Sequence, residues 1–149
     1  MNKNLKLSCR FLSTWSDNYY FYTDWSISSK VLEKTTFGSR ELANKLNDRY
    51  YTVKVNAASQ DNITFMGKVY TGTGLNQPHQ LAQNILQGNF LMPAIVFYDE
   101  NNVQLSIISG YLTKKQMLTL EEYFYNKLYK KLSLQDYINN SQSGKPIAN

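Results

Sequence analysis

A chain of 149 residues has room for one domain and one sizeable core. Its 42% hydrophobic and 14% aromatic content, with twelve tyrosines, excludes a disordered polypeptide. The net charge of +5 permits acidic partners, but the basic residues are spread along the chain and lack the clustering of a nucleic-acid groove, so no nucleic-acid role is expected. Cys9 is the only cysteine, which rules out a disulfide framework or a cysteine-rich zinc site within one chain.

The opening Met1 to Lys6 is basic but lacks the apolar run of a signal peptide, and no stretch is long enough to span a bilayer. A soluble protein, cytoplasmic or periplasmic, is expected. Leu5 to Leu12 alternates as a strand does, which makes Cys9 a small residue of that strand, where a free thiol behaves as an inert hydrophobe. Trp15-Ser16-Asp17-Asn18 reads as a polar turn, and Tyr19 to Thr23 as a buried central strand. From Ser26 the spacing is helical, with Ile27, Val31 and Leu32 placed inward and Lys30, Glu33 and Lys34 on the polar side. Gly38 breaks that helix. Ser39 caps a second one, with Leu42, Ala43 and Leu46 inward and Asn47-Asp48 at its end.

Tyr50 to Asn56 is a strand by its β-branched and aromatic content, and strand, helix, strand implies a right-handed parallel crossover. Ile63-Thr64-Phe65 and Val69-Tyr70-Thr71 form a hairpin turning at Gly67. After a loop with Gly72, Gly74 and Pro78, Leu81, Ala82, Ile85 and Leu86 mark a helix stopped by Gly88. His79, the sole histidine, stands at that helix start as an expected surface residue; no other ligand lies at metal spacing, so neither a metal nor a cofactor is expected. Ala94 to Tyr98 is a buried strand, Asp99 to Asn102 its turn and Val103 to Ile108 its antiparallel partner. Thr113 caps a long helix with Met117, Leu118, Leu120, Tyr123, Phe124 and Leu128 inward. Leu134, Tyr137 and Ile138 mark a last helical piece. The domain is set at residues 1–140 and a flexible tail at 141–149.

The chemistry of the chain concentrates in Phe21-Tyr22-Thr23-Asp24-Trp25-Ser26-Ile27-Ser28-Ser29-Lys30, an aromatic strand that runs through a Trp turn into a helix start. Ser26 is placed to cap that helix, which contributes about 1 kcal/mol. Hydrolysis by the Ser26-Ser28-Ser29 cluster would need a general base, and no Ser-His-Asp arrangement is legible near it. Asp24 reads as an exposed turn residue. Trp25 reads equally as a peptide-binding anchor and as a shield over the helix start.

This stretch resembles a thioredoxin active site with its cysteines missing. In the thioredoxin-like family a strand ending in Phe-Tyr-x-Asp-Trp precedes Cys-x-x-Cys-Lys, and Ser26 and Ser29 occupy the two cysteine places. Lys34-Thr35-Thr36-Phe37, Val53-Lys54-Val55-Asn56, Ile63 to Thr71 and Met92-Pro93-Ala94 through Gly110 resemble its bacterial branch, so the likeness covers most of residues 19–125. It implies an α/β thioredoxin fold: a central mixed β-sheet flanked by α-helices, with an inserted β-hairpin. It also implies a cis Met92-Pro93 bond facing the Trp turn, and it places Tyr20 where many relatives keep a buried acid. Disulfide exchange needs a thiolate, so Ser26 and Ser29 are expected to be inactive.

Trp25, Ile27, Met92 and Pro93 are then the expected peptide-binding residues, and the partner a protein or peptide segment. Two functions stand side by side. One is a redox-inactive binding or chaperone-like module. The other is a thiol-disulfide oxidoreductase whose cysteines at positions 26 and 29 have been replaced by serine.

Overall fold

The structure, a computed structural model, describes residues 5–7 and 16–143. Cys9, Trp15 and the end of the expected tail, residues 144–149, lie outside the described residues. The strands are β1 (Leu5–Leu7), β2 (Ser16–Tyr22), β3 (Tyr50–Asn56), β4 (Ile63–Phe65), β5 (Lys68–Tyr70), β6 (Ala94–Tyr98) and β7 (Gln104–Ser109). The helices are α1 (Ile27–Thr35), α2 (Arg40–Arg49), α3 (Gln80–Leu86), α4 (Lys114–Tyr125) and α5 (Leu134–Ser143), with a 3-10 turn at Leu128–Lys130. The central sheet runs β3-β2-β6-β7, and β1-β4-β5 form a smaller one. This is the mixed α/β thioredoxin fold, with β2 parallel to β3 and antiparallel to β6.

Strand β2 organises the sheet because it is paired on both edges and covered on both faces. Tyr19 and Phe21 point into one core with Val55, Leu81, Leu86 and Val96. Tyr20 points into the other with Leu32, Leu42, Ile95, Phe97 and Phe124. Phe97 and Phe124 stack at 4.2 Å between centroids, while Tyr19 meets Phe65 and Tyr98 edge-on at 5.3 Å each.

Several expectations change here. Ser16-Asp17-Asn18 is strand and not turn: Asp17 pairs with Tyr51 and Tyr98, and Asn18 with Thr52 and Phe97. Sheet pairing on both sides overrides the polar composition that suggested a break. Asn18 is fully buried, and neither atom of its amide finds a hydrogen-bond partner among the described residues.

Of the three apolar residues expected inward on α1, Leu32 is buried and Ile27 and Val31 face outward. Ser29 and Leu32 are buried, while Ile27 is 77% and Val31 41% exposed. Its end is tied down by Thr36, whose Oγ1 donates to the Leu112 carbonyl at 2.6 Å. At Gly38 a Cβ would stand 2.3 Å from the Lys34 carbonyl oxygen, so only glycine lets the chain leave α1 this closely. Helix α5 runs on to Ser143, with the Ser141 hydroxyl donating to the Tyr137 carbonyl, where the loose tail was expected from 141.

Candidate functional site

Strand β2 delivers the chain to a turn at Thr23 to Trp25, and Ser26 opens α1. Ser26 has extended backbone (φ −75°, ψ 110°), and its Oγ accepts from the Ser29 amide at 3.1 Å. Its own amide donates to the Thr23 carbonyl at 3.2 Å. The hydroxyl is thus engaged as a helix cap. Ser29, one turn on, is buried, and its Oγ has no partner among the described residues; the same holds for Thr23 Oγ1.

Beneath this turn Tyr20 fills the place where the resemblance puts an acid. Its hydroxyl reaches the Ser29 carbonyl at 3.3 Å and Glu33 Oε1 at 3.2 Å. Burial, and then the neighbouring Glu33 carboxylate, push the Tyr20 hydroxyl far above its ordinary range, so it remains a proton donor. Glu33 is also held by Lys54 at 2.8 Å, whose ammonium lies 4.2 Å from the centre of the Tyr22 ring. This network fixes α1 to the sheet.

The Met92-Pro93 peptide bond is cis. Pro93 is buried, its carbonyl accepts from the Gly110 amide at 2.7 Å, and it leads directly into β6, where Ala94 pairs with Phe21. Between this loop and the Trp turn lies a groove of about 290 Å³, lined by Thr23, Trp25, Ser26, Ala57, Ala58, Asn76, Pro78, Phe90, Leu91 and Met92. Trp25 is 56% exposed at its mouth.

The structure therefore brings together Trp25, Ser26 and Met92 of the expected site residues. It does not bring Ile27, Ser29 or Pro93 into the lining: Ile27 projects to solvent, and the other two are buried. Phe90 and Leu91 line the groove without having been singled out. An adjacent apolar pair immediately before Met92-Pro93 was the signal available for them. Ala57, Ala58 and Asn76 come from separate loops, and nothing local in the sequence marks them.

His79 is the clearest correction. Expected at the surface, it is fully buried: Nδ1 accepts from the Leu81 amide at 3.0 Å, and Nε2 donates to the Asp61 carbonyl at 2.9 Å. Its amide also donates to the Ala57 carbonyl at 2.7 Å, so the cap of α3 fixes one wall of the groove. A short polar loop around it accounts for the satisfied ring, and the helix spacing alone could not reveal that. Asp24 is exposed and accepts from Asn56 Nδ2 at 3.4 Å, which ties the Trp turn to the end of β3.

Among the described residues no group of three or more His, Cys, Asp or Glu side chains could hold a metal ion, and no helix is long and apolar enough to cross a membrane.

The thioredoxin-like domain family matches residues 18–125, well over half of the chain, and the chain belongs to that family. A thioredoxin-fold protein from Helicobacter pylori has the same fold at a TM-score of 0.60, with 15% identity over 88% of this chain and 81% of its own. Thioredoxin-2 of the malaria parasite, described as a component of that organism's protein secretion machinery, matches at a TM-score of 0.51, with 15% identity over 80% of this chain and 93% of its own. At such identities the likeness is one of fold. No curated protein sequence matches the chain significantly.

Proposed function

We propose that this protein is a binding module of the thioredoxin-like family, which holds an extended segment of a partner protein in the groove between Trp25 and the Phe90-Leu91-Met92 loop. The observation that carries this reading is the groove itself: an apolar channel beside an exposed Trp25, in which the Ser26 hydroxyl is already spent on the helix cap. Aromatic and aliphatic walls with few polar groups suit an apolar side chain of the bound segment. Disulfide exchange is outside the chemistry of Ser26 and Ser29, since neither can supply a thiolate.

The test is an NMR titration with an unstructured peptide bearing one Phe or Leu among polar residues. The Trp25 indole and the amides of Ser26, Ala57, Ala58 and Met92 should shift together. Trp25→Ala should weaken binding by about tenfold or more, as loss of an aromatic anchor does. Unchanged spectra at millimolar peptide would remove the reading.

One observation favours the second function, an oxidoreductase in which serines replaced cysteines. The Ser29 hydroxyl is buried with no partner among the described residues, an arrangement that is costly for a hydroxyl and comfortable for a thiol. Under that reading Ser26→Cys with Ser29→Cys should form an intramolecular disulfide on mild oxidation and reduce a disulfide substrate, whereas two thiols that stay free would exclude it. Cysteine codons in the source gene at positions 26 and 29 would decide for it directly.

A further inference from the structure

Helix α1 carries two parallel rows on its outer side that the groove does not use. Ile27 and Val31, four residues apart, form an apolar row that is 77% and 41% exposed. The row continues to Thr35, whose Oγ1 lies 3.1 Å from the hydroxyl of Tyr111, itself 44% exposed. Beside it run Lys30 and Lys34, each three residues on from an apolar neighbour and therefore on the adjoining strip of the same surface. Both lysines are exposed, and neither has an acidic partner among the described residues. The acid that could have neutralised them, Glu33, faces away and is held by Lys54 and Tyr20. The first turn of α1 contains no acidic residue either.

An exposed aliphatic row next to an uncompensated basic row is complemented by a strip with aliphatic and carboxylate rows at the same pitch. Residues four apart on a helix repeat every ~6 Å, so the matching strip is the face of a second helix with Leu or Ile in one row and Glu or Asp in the next. We infer that the outer face of α1, formed by Ile27, Val31 and Tyr111 with Lys30 and Lys34, docks an acidic amphipathic helix of a partner protein. The apolar row provides the area that is removed from water. The lysines set register and exclude basic partners, the use to which rim charges are best suited. This surface adjoins the Trp25 groove but is separate from its lining, so the two can be occupied independently.

The experiment uses the full chain and a synthetic 18-residue helical peptide with Leu at every fourth position and Glu beside each Leu. Its control is the same peptide with Lys in place of Glu. The acidic peptide should shift the amides of residues 27–35 and of Tyr111, while Trp25, Ala57 and Ala58 stay in place. Lys30→Glu with Lys34→Glu should weaken it by about tenfold or more, through two lost pairs and the repulsion that replaces them, and should transfer binding to the Lys peptide.

The inference is overturned if the acidic peptide leaves α1 unmoved, or if charge reversal changes nothing. It is equally overturned if only the groove residues shift, which would support the groove reading alone. Concentration-dependent dimerisation in sedimentation equilibrium, lost on Ile27→Ser with Val31→Ser, would assign the face to a second copy of the chain and overturn the inference as well.

Discussion

Ser26 caps α1 and Ser29 lies in its first turn, yet the Ser26 hydroxyl accepts from a backbone amide while that of Ser29 has no partner among the described residues. Removing them should therefore affect stability differently. Ser26→Ala forfeits the cap and should cost about 1 kcal/mol. Ser29→Ala removes a buried, unpaired hydroxyl whose desolvation costs roughly 1–3 kcal/mol, leaving only a small void, and should stabilise the protein or leave it unchanged. Urea unfolding of the two variants, read as the midpoint at constant slope, decides the matter. A clear loss from Ser29→Ala would mean that its hydroxyl does have a partner in solution. At this scale the sequence carried the cap at Ser26 plainly, because a serine before helical spacing is a local signal. It carried nothing of the orphaned Ser29, Asn18 or the buried His79, because burial depends on what the rest of the chain brings over them.

Among the elements, those with strong periodicity and local punctuation were legible: α2 with its Ser39 cap, α4 with its Thr113 cap, and the β6-β7 hairpin. In α1 the helix, its Ser26 cap and the inward Leu32 follow the sequence, but Ile27 and Val31 do not, because two registers compete. Ile27 and Val31 repeat at helical spacing, but it is Ser29, Leu32 and Thr36 that meet the sheet. Helix α4 hides a further feature on its inward stripe. Glu121, four residues after Met117 and three before Phe124, is fully buried; Arg49 donates to its Oε1 at 2.7 Å, and its Oε2 has no partner among the described residues. Arg49 lies over the Tyr125 ring at 4.2 Å, and the Tyr50 hydroxyl donates to the Glu121 carbonyl at 2.7 Å.

Burial raises the Glu121 carboxyl above its ordinary 4.5, and Arg49 only partly opposes this. A raised acid binds its proton more tightly in the folded chain than in the unfolded one. Its contribution to stability is therefore complete below the unfolded value and is lost as pH rises through the folded one. The Glu121 contribution should decline across that window, and Glu121→Gln should remove that part of the pH dependence. Asp17, also raised by burial, contributes in the same direction, and Glu41 and Glu100, held low by Lys114 and Lys127, in the opposite one. Denaturation midpoints measured from pH 4 to pH 7 test this, and a Glu121→Gln profile that tracks the natural chain would contradict it.

The central sheet has a core on each face, and β2 and β6 contribute to both. Tyr19, Phe21 and Val96 belong to the α3 side, and Tyr20, Ile95 and Phe97 to the side of α1, α2 and α4. Neighbouring residues on the same strands bind the two layers, so neither core can come apart without exposing the backbone pairing of the other. The protein should unfold as one unit. Leu81→Ala on one face and Leu42→Ala on the other, both fully buried, should each cost about 2–5 kcal/mol. Each should lower the same single transition. Amide exchange provides the sharper reading, because Tyr20 and Phe21 are adjacent on β2 but point into opposite cores. Their protection should fall by equal free energies in either variant, as expected for global opening. If Leu81→Ala lowered protection in α3 and the β4-β5 hairpin while Tyr20 and α4 kept theirs, the α3 layer would be a separate cooperative unit. The groove wall that His79 and Ala57 supply would then open independently of the Trp25 turn.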